Sequence, residues 1–147
     1  MDVNIMNLNK KFVSGMFLIM AVSMPSLANT VYKADETHAV HFQKGKSGTS
    51  VNGRVTGNKN VDYTLTARKG QLMAVKMDSA WPHPFFTVFD PAGAVIFDGM
   101  SDGDSFSGRL PLSGKYIVRI YQKGNAKDAG ETHSFKLTIT ITNKASV

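Results

Sequence analysis

From residue 31 onward, apolar positions along the chain recur every second residue. Val40 and Phe42 alternate with His41 and Gln43, and Val61, Tyr63, Leu65 and Ala67 alternate with Asp62, Thr64, Thr66 and Arg68. Val51 and Val55 flank a shorter stretch, and Met73, Val75 and Met77 carry another. The same spacing returns in Tyr116, Val118 and Ile120. The longest run sets His133, Phe135, Leu137, Ile139 and Ile141 against Ser134, Lys136, Thr138 and Thr140. Successive strand side chains point to opposite faces, so this pattern predicts strands with one face in a core and one in water. Phe85 to Asp90, Ala94 to Phe97 and Gly108 to Leu112 complete the set.

Turn signals separate these runs. Gly45-Lys46-Ser47-Gly48, Gly57-Asn58-Lys59-Asn60, Lys69-Gly70 and Asp90-Pro91-Ala92-Gly93 hold residues that reach turn conformations cheaply. Asp98 to Ser107 and Lys123 to Thr132 are polar and read as loops. No helix of consequence is expected after Ala28. About eight to nine short strands with frequent turns predict an all-β, antiparallel β-sandwich, built as a single domain over 29–147.

The first 28 residues follow a different rule. Lys10 and Lys11 form a basic flank, Phe12 to Met24 is mostly apolar, and Ser26-Leu27-Ala28 supplies small residues for a signal peptidase. A secretory signal over 1–28, cleaved after Ala28, predicts export to the periplasm and no membrane attachment of the mature chain.

Composition narrows the chemistry. Among 147 residues there is no cysteine, which excludes disulfides, thiolate metal sites and cysteine nucleophiles. An exported domain without disulfides must be held by its core alone. The full chain carries a net charge of +6; removing Asp2, Lys10 and Lys11 with the signal leaves +5. Such a balance suits an acidic partner. The cations Lys33, Lys44, Lys46, Arg54, Lys59, Arg68, Lys69 and Lys76 are scattered along the sequence rather than clustered, so nucleic acid is not expected.

Catalytic constellations are not found. His38 and His41 stand three apart, which puts them on opposite faces of a strand and not around one metal. Gly114-Lys115 lacks the glycine and hydroxyl residue of a phosphate loop, with Arg109 and Tyr116 in their places. Asp98, Asp102 and Asp104 lack the alternation of a calcium loop and read as a solvated turn. No serine lies in a nucleophile elbow. The expectation is a protein that is not an enzyme and uses neither cofactor nor metal.

Two loops offer recognition surfaces. Ser79-Ala80-Trp81-Pro82-His83-Pro84 sets the only tryptophan in a proline-stiffened connection, where it serves as an aromatic contact or folds back as a cap. Leu110-Pro111-Leu112-Ser113-Gly114-Lys115-Tyr116 offers a hydroxyl, a cation and a phenol in one short excursion.

The stretches Asp62 to Gln71, Phe89 to Gly93 and Leu110 to Ile120 resemble the β-sandwich of bacterial pre-peptidase C-terminal domains. With Ser113-Gly114-Lys115-Tyr116 in a free-standing exported chain, the sequence is similar to the periplasmic inhibitors of i-type and g-type lysozymes. That resemblance implies that the SGxY loop enters a lysozyme's active-site cleft, with Ser113 and Tyr116 inserting, Gly114 shaping the loop and Lys115 adding attraction to the acidic cleft. Tyr116 also begins an inward-facing run, so a structural role stands beside the binding one. Arg119, pointing opposite to Val118 and Ile120, is placed to support either this loop or the polar one from Tyr121 to Thr132, and Trp81 is a further candidate contact.

The i-type target is preferred to the g-type on the stretches Val61-Asp62-Tyr63, Ile96-Phe97-Asp98-Gly99 and Phe106 to Pro111. A carbohydrate- or peptide-binding module using Trp81, with calcium near Asp102 and Asp104, is the alternative. An edge strand leaves a homodimer open.

Overall fold

The structure, a computed structural model, describes residues 31–80 and 84–143; the signal segment 1–28 and Trp81 lie outside the described residues. Nine strands follow in chain order: β1 Glu36–Ala39, β2 Gly48–Thr56, β3 Val61–Ala67, β4 Leu72–Ser79, β5 Phe85–Phe89, β6 Val95–Asp98, β7 Ser105–Arg109, β8 Gly114–Tyr121 and β9 Thr132–Thr142. Two short helices, α1 Gly99–Asp102 and α2 Gly124–Asp128, interrupt them. One sheet has the order β1-β3-β8-β5-β6, the other β2-β9-β4-β7. Every pairing is antiparallel except that of β1 with β3.

The period-two residues form the filling. Val61, Tyr63, Leu65, Tyr116, Val118, Ile120, Phe86 and Val88 from the first sheet meet Val55, Met73, Val75, Met77, Phe135, Leu137 and Ile139 from the second. Phe86 stacks on Phe97 with ring centroids 4.8 Å apart, and Tyr63 meets Phe135 edge-on across the sheets. Burial of these side chains is what stabilises a sandwich without cross-links, at about 1.5–3 kcal/mol for each large apolar residue.

Three departures from the sequence pattern have physical causes. The first strand is Glu36–Ala39, not the run through Val40 and Phe42. Its four side chains are all exposed, so backbone pairing to β3 defines it, while Val40 and Phe42 pack on the core from the segment beyond. β7 ends at Arg109, earlier than expected, because Pro111 has no N–H to offer a ladder. The polar stretches hold single helical turns, too short for a period to register; Asp98 caps α1 by accepting from the Met100 N–H at 3.2 Å.

The register defines two ends of the sandwich. At one end Ala67 faces Gly114 and Leu72 faces both Arg109 and Thr142; we call it the loop end. At the other, Ser79 faces Phe135, Phe85 faces Tyr121 and Thr56 faces Thr132.

Candidate functional site

The connection from β7 to β8 is bound on several sides. Leu110 donates its N–H to the Gln71 carbonyl at 2.8 Å and accepts from the Gly70 N–H at 2.9 Å. Ser113 Oγ accepts from the Lys69 N–H at 2.9 Å, and Arg109 Nη1 donates to the Gly70 carbonyl at 2.8 Å. The turn after β3 is therefore a brace for the loop. Gln71 stiffens that turn, accepting from the Arg68 N–H at 2.7 Å and donating to Asn143 Oδ1 at 2.8 Å.

Gly114 makes the exit possible. Its φ is +142°, in the region that disfavours side chains, and a Cβ there would stand 2.8 Å from Pro91 Cβ. Pro91 belongs to the turn between β5 and β6, where Asp90 Oδ1 accepts from the Ala92 and Ala94 N–H groups at 2.9 and 3.0 Å. Three turns thus converge on the loop end.

Tyr116 is wholly inside the sandwich, with 0% of its surface exposed. Its hydroxyl donates to the Leu112 carbonyl at 2.6 Å and accepts from the Leu112 N–H at 3.2 Å. Burial pushes its pKa up, the bond to Leu112 opposes that shift, and the nearby Asp90 carboxylate adds to it. This is the tyrosine-corner arrangement of β-sandwiches, a phenol returning to backbone a few residues upstream. The expectation that Tyr116 inserts into a partner is therefore corrected. It shares the inward register with Val118 and Ile120, opposite Leu65, and it acts on a partner only through the loop it holds.

Arg119 is also committed elsewhere. It lies on the outer face of its sheet, opposite Asp62, and its Nε and Nη2 reach the two carboxylate oxygens at 2.7 and 2.9 Å. The paired side chains are only 11% and 6% exposed. The guanidinium also donates to the Tyr32 carbonyl and lies 5.5 Å from the Phe89 ring centroid. Arg119 thus fastens the segment before β1 to the sheet, which corrects the expectation that it supports a loop. Ser79 and Phe85, which flank the segment containing Trp81, stand at the end opposite the loop, and Trp81 itself lies outside the described residues.

Ser113 and Lys115 remain on the surface at the loop end. Ser113 accepts one bond and keeps its O–H to donate. Leu112, between Pro111 and Ser113, is 39% exposed although its backbone is pinned from within. The sequence pattern could not single it out, because its exposure follows from where the Tyr116 hydroxyl fastens the chain.

Charge is distributed unevenly once the chain is folded. Lys46 in the turn before β2, Arg68 and Lys69 after β3, Arg109 at the end of β7 and Lys115 in β8 all gather at the loop end. The acidic residue there is Asp90, buried and occupied by two N–H groups. The other acids lie along the strands or at the far end, including Asp35, Glu36, Asp78, Asp98, Asp102, Asp104, Asp128 and Glu131. Five of the cations spread along the sequence thus share one end of the fold, while Lys59, Lys123 and Lys127 lie at the other among its carboxylates.

The other polar candidates are used locally. His38 stacks on Tyr63 with centroids 5.4 Å apart and stands 3.5 Å from Glu36 Oε2. Asp98 accepts from the Met100 N–H and from the Tyr121 hydroxyl, and Asp102 accepts from the Asp98 N–H at 3.3 Å. Among the described residues no group of three or more potential ligands is placed to hold a metal ion.

A nine-stranded sandwich presenting one braced, cationic loop has the build of a recognition domain rather than of a scaffold with two equivalent ends. The chain is 34% identical to Aeromonas hydrophila PliG, a periplasmic lysozyme inhibitor of g-type lysozyme. That match covers 73% of this chain and 96% of that one, with a TM-score of 0.66. The inhibitor of g-type lysozyme from Escherichia coli K12 is 29% identical over 119 residues, covering 78% of this chain and 88% of that protein. A mutant of the Escherichia coli PliG superposes with a TM-score of 0.59 at 26% identity, covering 74% of this chain and 100% of that one. The pre-peptidase C-terminal domain of a Bacillus anthracis collagenase, 12% identical with a TM-score of 0.54, shares the fold alone. No protein-family model matches the chain.

The chain belongs to the PliG family of periplasmic lysozyme inhibitors. The i-type preference finds no support in these relatives, which are inhibitors of g-type lysozyme. Val61, Tyr63 and Phe97, on which that preference partly rested, are buried strand residues. They report the shared sandwich, not the choice of target.

Proposed function

We propose that this chain is a periplasmic inhibitor of g-type lysozyme, and that it blocks the enzyme's cleft with the surface of the loop between β7 and β8. The observation that carries the reading is 34% identity to the Aeromonas hydrophila PliG across 96% of that protein. Ser113 contributes a free O–H and Lys115 a cation to the contact, while Gly114 and Tyr116 fix the loop's shape. Glycosidases commonly work with a pair of carboxyl groups flanking the scissile bond. A rigid loop bearing donors and positive charge complements such a site, and a donor bonded to a carboxylate forms the stronger, charge-assisted kind of hydrogen bond. Rigidity matters because little conformational freedom is then lost on binding. Inhibition by occupancy needs no turnover and no cofactor.

The test is peptidoglycan lysis by g-type, i-type and c-type lysozymes with purified mature protein added. Stoichiometric inhibition of the g-type enzyme, with the others spared at the same concentration, is the expected result. Lysis by the g-type enzyme unaffected by excess protein contradicts the reading.

A further inference from the structure

We propose that Leu112 is the side chain this end of the sandwich seats in its partner, and that Arg68, Lys69 and Lys115 guide it into a cleft with acidic walls and an apolar patch on its floor. The inference rests on the inhibitor reading and deepens it by naming the tip residue and the partner's chemistry.

The first observation is the way Leu112 is held. A buried phenol satisfies both of its backbone groups, yet its apolar side chain is 39% exposed. Neighbouring Ser113 is tied to Lys69 and preceding Leu110 to Gln71 and Gly70, so the backbone that presents this side chain is braced on both sides. An exposed leucine on a free loop is unremarkable. One held out by a braced backbone is a preorganised anchor, and such anchors carry a large share of binding energy when they fill a pocket.

The second observation is the charge around it. Lys69 and Arg68 lie on the turn bonded to Ser113, and Lys115 follows Gly114. Asp90, the acid of this end, is buried under two N–H donors. Among the described residues, an acidic surface approaching this end therefore meets cations without a competing exposed carboxylate. Fields of this kind raise association rates tenfold to a thousandfold and orient the encounter.

The experiment measures inhibition and association kinetics with g-type lysozyme for the wild type and four variants, each first checked for an unchanged melting transition. Leu112→Asp is expected to weaken inhibition by about tenfold or more, since it puts a carboxylate where an apolar contact and acidic walls meet. Leu112→Ala, which only trims exposed methyl groups, is expected to lose several-fold and supplies the answer if the aspartate disturbs the loop. Lys69→Glu is expected to slow association, with a flatter dependence on salt and a nearly unchanged dissociation rate. Met100→Asp changes an exposed apolar residue at the opposite end, 51% exposed, and is expected to inhibit as the wild type does.

A wild type that inhibits while both Leu112 variants match it overturns the tip assignment and leaves the inhibitor reading standing. Equal loss in Met100→Asp likewise contradicts the assignment to this end. A folded wild type without effect on lysis removes the inhibitor reading itself, and the inference with it.

Discussion

The hydroxyl of Tyr116 bonds both backbone groups of Leu112, donating to its carbonyl at 2.6 Å and accepting from its N–H at 3.2 Å. A residue that sequence places in the binding loop thus works from inside the core, and the residue it grips faces outward. Core packing and loop shape are coupled through one phenolic oxygen.

Tyr116→Phe keeps the ring and removes that oxygen. The expected cost is about 1–2 kcal/mol, because a buried phenyl still fits and water can reach the freed Leu112 groups. Thermal unfolding should show a melting temperature lower by a few degrees, and amide exchange should speed up at Leu112 while the β8 amides stay protected. A melting curve and exchange pattern identical to the wild type would show that the hydroxyl does not hold the loop.

Arg119→Ala is expected to be the more damaging change, though it lies away from the loop end. It leaves Asp62 as an unpaired carboxylate under the segment before β1, and breaking a buried pair from one side costs about 3–5 kcal/mol. The double variant Asp62→Leu/Arg119→Met should recover much of that loss in denaturant unfolding. Potency per folded molecule should match the wild type in both, whereas a direct Arg119 contact predicts a loss that folding does not explain.

Gly114→Ala should strain the loop rather than the sheets. At φ +142° an alanine is disfavoured, and its Cβ would stand 2.8 Å from Pro91 Cβ. The expected destabilisation is about 1–3 kcal/mol, with inhibition falling further than stability as Ser113 and Leu112 are displaced. Denaturant unfolding and the lysis assay, run on the same preparation, separate the two effects.

Alkaline pH should weaken the fold through its buried phenols. Burial, the leading cause, pushes Tyr121 up to about 12, and also raises Tyr63 and Tyr116 above their ordinary value of 10.0. Between pH 10 and 12 the unfolded chain releases the Tyr121 proton and the folded chain keeps it, so stability falls as pH rises through that window. Below pH 10 the contribution is fully present. Tyr121→Phe should flatten the alkaline slope of unfolding free energy against pH; an unchanged slope would contradict the assignment.

Strand existence was legible because period-two burial is a local property. Val61 to Ala67 and His133 to Ile141 alternate in sequence as they do in space, although His133 is only partly buried. β1 was displaced because an exposed edge strand leaves no apolar trace, and α1 and α2 were hidden because one turn is shorter than a helical period. The loop was found through Ser113 and Gly114, whose residue types suit a tight excursion. The roles of Tyr116 and Arg119 were not, since partners four and fifty-seven positions away decide them. The cationic end is likewise a property of topology: Arg109 reaches the turn that carries Arg68 and Lys69 through the Gly70 carbonyl, and Lys115 lies opposite Thr66 on the neighbouring strand.

The most direct measurement of the central claim is amide hydrogen exchange of this protein with and without saturating g-type lysozyme. New protection is expected at the loop end, over residues 68–71 and 110–115, with the segment from Ser79 to Phe85 unaffected. Protection centred on that far segment, or on the outer sheet face around Arg119, would contradict it.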